Sequence, residues 1–180
     1  MKVSELMSSP AQTCAPQESC HSAAQIMWEH DCGCVPVTDE ERRLVGVVTD
    51  RDIAMAAHLT GDSLGKIPVG QVMGPRAISV DRDASVRDAL QAMADAQVLR
   101  LPVVDSSRHV VGVLALSDAI LAAPPGKEGE EAIRTVAAIA RRRTAPVTIP
   151  TSERSLGVST KAPETTPMST RRPASKSGAR

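Results

Sequence analysis

The apolar positions of the chain fall into two kinds of pattern. Four runs rich in β-branched residues are typical of buried strands: 34–38, 44–49, 100–104 and 109–115. Elsewhere apolar residues recur every three or four positions, as on one face of a helix. One such stripe consists of Val86, Ala89, Leu90, Met93 and Ala94, and Asp83 or Ser85 is placed to cap that helix. The pattern predicts strands that alternate with amphipathic helices.

The whole pattern occurs twice. Sliding the sequence along itself by 66 positions aligns residues 3–52 with 69–118 without a gap, and 15 of the 50 pairs are identical. The first copy repeats the helical stripe as Cys20, Ala23, Ala24, Met27 and Trp28. This is a tandem duplication. Each copy has a short N-terminal segment, a first strand near 12–14 or 78–80, and the order β-α-β-β-α. The predicted fold is an α/β sandwich of two such units about a pseudo-twofold axis.

The run 44–49 leads directly into a polar cluster. Thr49 and Asp50 are good N-cap residues for a helix that continues through Asp52 to about His58. A strand that feeds a helix places backbone N–H groups and polar side chains at one point, where a phosphate or a ribose can dock. The second copy repeats this string at 110–118.

Charge and composition divide the chain into segments. We predict repeat 1 at 1–60, a linker at 61–68, repeat 2 at 69–123, a short C-terminal helix at 124–143 and a disordered basic tail at 144–180. Residues 1–140 carry 12 Lys and Arg against 19 Asp and Glu, or −7, whereas 141–180 carry 9 against 2, or +7. The tail is rich in Ser, Thr and Pro, and it has too few large apolar residues to offset the entropy of ordering.

Several function classes are disfavoured. The chain has no Phe, no Tyr and one Trp, which disfavours modules that stack bases on aromatic side chains, and a nucleic-acid partner is not expected. No apolar stretch approaches the ~20 residues of a membrane span, and the first residues do not resemble a signal peptide. No Gly-rich phosphate loop, nucleophile elbow or zinc-protease motif occurs. We expect a cytoplasmic protein that is not an enzyme.

The four cysteines all lie in the first repeat. Three of them, Cys14, Cys20 and Cys32, align with valines of the second repeat, which favours packing as small apolar residues. Cys32 and Cys34 have no second cysteine pair at zinc-site spacing, so no metal is expected. A stress-sensing thiol or disulfide remains an alternative.

The duplicated string of Gly, two apolar residues, Thr, two variable residues and Asp, with an apolar-Pro-apolar strand before it, resembles a cystathionine-β-synthase (CBS) domain pair. The resemblance covers roughly residues 1–123. It implies a regulatory module that binds AMP, ADP, ATP or S-adenosylmethionine in clefts between the repeats, with no cofactor required. It also implies a homodimer and, for a stand-alone pair, a bacterial stress response.

The resemblance also implies which residues bind. One cleft would use Thr49, Arg51 and Asp52 with Ser79 and backbone near Leu101. The other would use Ser117 and Asp118 with Thr13 and backbone near Val35. In the family the aspartate accepts hydrogen bonds from the ribose hydroxyls, and its neighbours reach the phosphate side. Ala115 stands where the second copy should have a hydroxyl, so the first cleft is expected to be the better phosphate site.

The predicted function is therefore a sensor of an adenosine-containing ligand that signals its occupancy to an unidentified protein partner. Two alternatives stay open. In one, both aspartates merely cap their helices and the chain is a ligand-free structural or interaction protein. In the other, it is a redox-responsive stress protein of the same fold. For the basic tail the alternatives are contact with nucleic acid or an acidic partner, and a solvated, disordered segment, which we favour.

Overall fold

The structure is a computed structural model that describes residues 1–74, 77–122 and 127–140. The first repeat contains, after a 3₁₀ turn at Val3–Glu5, helix α1 (Cys20–Glu29), strands β1 (Cys34–Thr38) and β2 (Leu44–Thr49) and helix α2 (Asp50–Thr60). A second 3₁₀ turn spans Leu64–Lys66. The second repeat contains α3 (Val69–Val72), β3 (Val80–Asp81), α4 (Val86–Ala96), β4 (Arg100–Val104), β5 (Val110–Ala115) and α5 (Leu116–Ala122), and α6 (Lys127–Ala140) follows. The predicted α/β order is confirmed.

The two sheets differ slightly. Strands β1 and β2 form an antiparallel pair, and in the second repeat β3 adds in parallel to the antiparallel pair of β4 and β5. The strand predicted near 12–14 is reduced to one parallel bridge between Cys14 and Val37. This bridge is the counterpart of the pairing of Val80 with Val103, 66 positions later.

The helices begin where the sequence places their caps. Ser85 caps α4 by accepting a hydrogen bond from the Asp88 amide at 3.1 Å, and Ser19 caps α1 in the same way. The stripe of α4 is buried at Ala89, Leu90 and Met93. In α1, however, Trp28 is 88% exposed, so its expected place in the core stripe is wrong. Its counterpart in α4 is only an alanine.

The N-terminal segment of each repeat packs into the core of the other repeat. Val3 is fully buried in the core of the second repeat, and its amide donates to the Ala84 carbonyl at 3.0 Å. Val69 is fully buried in the core of the first repeat, and its amide donates to the Glu18 carbonyl at 2.8 Å. The two repeats are therefore interlocked and cannot be separated at the segment between them without opening both cores.

The pseudo-twofold relation is visible in the backbone hydrogen bonds between the repeats. The Leu44 amide donates to the Arg108 carbonyl at 3.4 Å, and the Val110 amide donates to the Arg42 carbonyl at 3.2 Å. Leu44 aligns with Val110 and Arg42 aligns with Arg108, so each bond is the counterpart of the other. A small apolar cluster of Leu44, Val104 and Val110 lies beside them. The predicted pseudo-twofold packing is confirmed.

The helix predicted near the C-terminus forms at Lys127–Ala140 and packs against α4 and α5 of the second repeat. Among the residues of this helix whose side chains the structure describes, Thr135 is buried, whereas Ile133 and Val136 are exposed. The tail predicted at 144–180 lies outside the described residues. No helix in the described ranges is long and apolar enough to cross a membrane.

Candidate functional site

Two cavities lie between the repeats at places related by the duplication. The cavity that we call the first cleft has a volume of about 460 Å³ and is lined mainly by residues 33–34, 47, 49–51, 77–78, 97–100, 102 and 139. The second cleft has a volume of about 380 Å³ and is lined by residues 8–12, 30–32, 34, 100, 113, 115, 117 and 118. Each combines the start of one repeat's closing helix with loops and strands of the other repeat. Their volumes are typical of small-molecule sites.

The start of α2 in the first cleft is a capping box. The Thr49 amide and the Thr49 hydroxyl both donate to Asp52 Oδ2, at 2.9 and 2.6 Å. The Asp52 amide in turn donates to Thr49 Oγ1 at 3.2 Å. This reciprocal pair stabilises the first turn without any ligand. This geometry is the one expected if Asp52 only caps its helix and binds no ligand.

The other backbone donors of this turn are also occupied. The Arg51 amide donates to Asp50 Oδ1 at 2.7 Å, and the Asp50 amide donates to the Gly33 carbonyl at 3.4 Å. The free N–H groups expected at the strand–helix junction are therefore taken by the protein's own acceptors. An anion in this cleft would depend on the guanidinium groups that line it more than on the helix N-terminus.

The corresponding turn in the second cleft is less complete. Asp118 Oδ2 accepts a hydrogen bond from the Ala115 amide at 3.2 Å, as Asp52 does from Thr49. Ser117 Oγ lies 3.4 Å from Asp118 Oδ1. Ala115 has no side-chain acceptor for the Asp118 amide, so one half of the capping box is missing. The turn keeps its aspartate but loses the hydroxyl group that the first repeat supplies.

The structure places part of the predicted site in the clefts. Thr49 and Arg51 line the first cleft, and Ser117 and Asp118 line the second. Asp52 is not among the residues that line the first cleft, and its carboxylate accepts hydrogen bonds from the amide and the hydroxyl of Thr49. None of these assignments is tested by a bound ligand, and they stay predictions.

The remaining predicted residues lie close to the clefts but not on their walls. Residues 77 and 78 line the first cleft next to Ser79, and residues 100 and 102 line it on either side of the buried Leu101. Val35 is also buried, and its neighbour at 34 lines the second cleft. Thr13 instead lines a separate cavity with Thr38.

Sequence reasoning missed residues at the boundary between the clefts. Arg100 and Cys34, which are 66 positions apart, each line both clefts. Gln97 lines the first cleft and its counterpart Asp31 lines the second, and both have positive φ angles, 55° and 48°. The alignment of the two copies pairs these residues, but only the folded chain shows that they face the cavities. Ile139 of α6 also lines the first cleft.

Burial determines the chemistry of the cysteine at this boundary. Burial raises the pKa of the Cys34 thiol to about 11, although the nearby Arg100 guanidinium acts in the opposite direction. Cys34 is therefore a neutral thiol near pH 7. Within the part of the chain that the structure describes, no group of three or more His, Cys, Asp or Glu residues is arranged to hold a metal ion.

The clefts carry opposite charge. Among the described residues that line the first cleft, the charged side chains are Arg51, Arg100 and Asp50. In the second cleft Arg100 faces the carboxylates of Asp31 and Asp118. With His30 counted as neutral, the lining side chains sum to +1 in the first cleft and −1 in the second.

Comparison with known proteins agrees with the geometry. The CBS domain model matches residues 3–59 and 69–124. The CBS domain-containing protein YhcV of Bacillus subtilis is 38% identical over 116 residues, which are 64% of this chain and 81% of that protein.

Two solved structures resemble this chain. Hypoxic Response Protein I with two coordinated zinc ions superposes with a TM-score of 0.63 at 29% identity, over 69% of this chain and all of that one. The CBS domain pair of protein MJ0100 in complex with 5′-methylthioadenosine and S-adenosyl-L-methionine superposes with a TM-score of 0.60 at 30% identity, over 66% of this chain and 91% of that one.

Proposed function

Because this chain belongs to the CBS domain family, we propose that it is a regulatory, non-enzymatic module that binds an adenosine-containing ligand between its repeats. The observation that carries the proposal is the pair of related clefts, each built from both repeats at a strand–helix junction. The similar MJ0100 pair holds two adenosyl compounds, which supports ligands of this class here.

The first cleft is the proposed primary site. Arg51 and Arg100 offer two guanidinium groups to a phosphate, and Thr49 adds a hydroxyl. An aspartate carboxylate accepts two hydrogen bonds at once, which suits a pair of ribose hydroxyls. Asp52 would have to exchange a bond to Thr49 for a bond to ribose, a local change at the surface of the fold.

Calorimetric titration of the full chain with AMP, ADP, ATP and S-adenosylmethionine tests this function. We expect micromolar binding that is weakened about tenfold or more in Arg51→Ser, because a charge-assisted hydrogen bond is lost. This variant installs the residue that the second repeat has at the same position, so it is a conservative change for the fold. Asp52→Ala and Asp118→Ala rank the two clefts.

The absence of heat with every ligand, from a chain that circular dichroism shows to be folded, would contradict the sensor proposal. The capping box of Thr49 and Asp52 would then be the complete explanation of the motif. That result would favour the ligand-free interaction protein.

Helix α6 is the proposed route by which occupancy is signalled. Its last turn contributes Ile139 to the wall of the first cleft, while Ile133 lies on the helix 68% exposed. A ligand that contacts Ile139 stabilises the arrangement in which α6 is docked, and a protein partner that reads the exposed side of α6 senses this shift in population.

Hydrogen–deuterium exchange tests that route. We expect AMP to slow amide exchange in α6 of the native chain and to slow it much less in Ile139→Ala. Ile133→Ala is the matched control, since it truncates the same side chain on the same helix away from the cleft. Equal protection in both variants would exclude signalling through Ile139.

A homodimer is also proposed, and its interface is the open helical face of the first repeat. A groove of about 480 Å³ between α1 and α2 is lined by Ala24, Met27, Trp28, Ile53, Ala57 and Leu64 among others. The same face of the second repeat is covered by α6. Since one copy of this face is closed by helix α6, we assign the open copy to a second chain.

Sedimentation velocity with Trp28→Arg tests the interface. We expect the native chain to be a dimer and the variant to be mostly monomeric, because the charge of the new arginine would be buried in the contact. Leu121→Arg alters an apolar side chain that is similarly exposed elsewhere, and it is expected to leave the dimer intact. A dimer that survives Trp28→Arg would place the interface elsewhere.

A cytoplasmic stress response completes the proposal. All four cysteines are free thiols, as is usual in a reducing compartment. The similarity to Hypoxic Response Protein I supports a role under stress. Survival of a deletion strain under low oxygen tests this role.

A further inference from the structure

Arg100 occupies a special place between the two clefts. It begins β4, is exposed, and lines both cavities. Its guanidinium group lies over the backbone of Gly33, where a Cβ atom would be 3.4 Å from both terminal nitrogens. Residues 32–34 form the partition between the clefts, because Cys32 lines the second and Gly33 the first. The guanidinium therefore lies on this partition.

No acidic side chain in the described ranges is within ion-pair distance of this guanidinium. Asp50 Oδ2 is near it, since it lies 3.3 Å from the same Cβ position on Gly33. The position of the first repeat that aligns with Arg100 holds the buried, neutral Cys34 and not a second arginine. One cation thus serves two clefts.

The rest of the lining differs in charge at related positions. Arg51 of the first cleft corresponds to Ser117 of the second, and Gln97 corresponds to Asp31. When Arg100 is engaged in the second cleft, the first cleft still has Arg51. When Arg100 is engaged in the first cleft, the charged side chains described on the second, with His30 counted as neutral, are the carboxylates of Asp31 and Asp118. Two unit charges at close range interact strongly in a partly desolvated cavity.

We propose that the clefts take different classes of ligand. The first binds a phosphate-bearing adenosine ligand, and the second binds a phosphate-free adenosyl ligand, with Arg100 as the shared cation. A phosphate in the first cleft draws Arg100 to that side, so the second cleft presents net negative charge and rejects another phosphate. This assignment rests on the proposed function, because it deepens the specificity of the same two clefts.

Calorimetry with two probes tests the assignment. AMP titrated into the native chain is expected to bind with a stoichiometry of one per chain. 5′-Methylthioadenosine titrated into the AMP-saturated chain is expected to bind at a second site with unchanged AMP occupancy. In Arg100→Ala the AMP affinity is expected to fall about tenfold or more. Arg82→Ala, an exposed arginine that lines neither cleft, is the control.

A gain-of-function variant makes the test independent of damage to the fold. Asp31→Asn with Ser117→Arg gives the second cleft the charge pattern of the first. Asn tolerates the positive φ of position 31, and residue 117 is exposed. We expect this double variant to bind two AMP molecules per chain.

The outcomes separate this inference from the proposed function. Two equivalent AMP sites in the native chain, or an AMP affinity unchanged in Arg100→Ala, would overturn the charge assignment while the adenosyl-binding function stands. If neither AMP nor 5′-methylthioadenosine binds, both fail. One AMP per chain, loss in Arg100→Ala and a second AMP in the double variant would establish the assignment.

Discussion

The two repeats share a backbone but differ in what covers their helices. In the second repeat α6 packs across α4 and α5, and Met93 beneath it is fully buried. In the first repeat the same face is open, with Trp28 88% exposed at its edge. The duplication has therefore kept the interior positions that hold each unit together. It has changed the surfaces where a ligand, a helix or a second chain can bind.

Truncation of the paired methionines of α1 and α4 should give the largest difference in stability. Met93→Ala leaves a cavity that α6 closes on the outside, and we expect a loss of ~2–5 kcal/mol in the free energy of unfolding. Met27 is 8% exposed beside the groove of the first repeat. In the monomeric Trp28→Arg background, where the groove is open, solvent can fill part of the space. We expect Met27→Ala in this background to cost about 1 kcal/mol less. Urea denaturation measures both, and equal costs would show that α6 adds nothing to the core.

The paired glycines of β2 and β5 give the next effect. A Cβ at Gly112 would lie 2.9 Å from the Ser8 carbonyl oxygen, and a Cβ at Gly46 would lie 3.3 Å from the Gly74 carbonyl oxygen. Each would also meet a methionine sulfur, Met7 or Met73, but a flexible side chain can move. Since backbone cannot yield as easily, we expect Gly112→Ala to cost ~2–3 kcal/mol and Gly46→Ala ~1 kcal/mol.

Thermal denaturation of the two glycine variants provides the comparison under one set of conditions. If Gly46→Ala were the more damaging substitution, the methionine side chain rather than the carbonyl contact would be the rigid element. Both glycines accept the N-terminal segment of the opposite repeat, so their effect reports on how the repeats interlock.

Substitutions at the junction residues Thr49 and Ala115 should change the free energy of unfolding by less, and in opposite directions. Thr49→Ala removes the hydroxyl that accepts from the Asp52 amide, and we expect it to cost ~1 kcal/mol. Ala115→Thr offers the same acceptor to Asp118 and should recover up to ~1 kcal/mol. Unfolding midpoints in urea check the signs. A destabilising Ala115→Thr would mean that the two junctions differ in backbone geometry as well as in residue type.

The sequence predicted this fold in detail because the duplication doubles each signal. The amphipathic stripe of α1, for example, is supported by the corresponding stripe of α4. The strand near 12–14, which the second copy also suggested, is reduced to a single bridge. The exposure of Trp28 could not be predicted, because its position in the helical stripe is apolar in both copies. The two copies differ in that α6 covers the helices of the second repeat and not those of the first. Helical periodicity identifies a face but does not say what covers it.

The candidate site was predictable only in part. The motif placed Thr49 and Asp118 at the strand–helix junctions, where they line the two clefts, and their roles in ligand binding stay predictions. Arg100 was missed, because its role depends on the backbone of Gly33 in the other repeat. Contacts across a pseudo-twofold axis leave no periodic signal in the sequence.

The cysteines that replace valines in the first repeat should have the smallest effect near neutral pH. Cys14→Val installs the residue of the second repeat at a buried position, and we expect a change below ~1 kcal/mol at pH 7. Burial raises the pKa of the Cys14 thiol to about 12 in the folded chain, against 9.0 for an unperturbed thiol. The unfolded chain therefore releases this proton first as the pH rises.

The sign of the pH effect follows from that difference. Above pH 9 the folded chain holds more protons than the unfolded chain, so the stability of the native protein falls until the pH approaches 12. Cys14→Val lacks this thiol, so its free energy of unfolding should fall less steeply over the same range. The free energy of unfolding of Cys14→Val minus that of the native chain should therefore increase with pH. Urea denaturation at pH 7, 9 and 10 measures the trend. An unchanged difference across these values would mean that the Cys14 thiol ionises as readily in the folded chain as in the unfolded one.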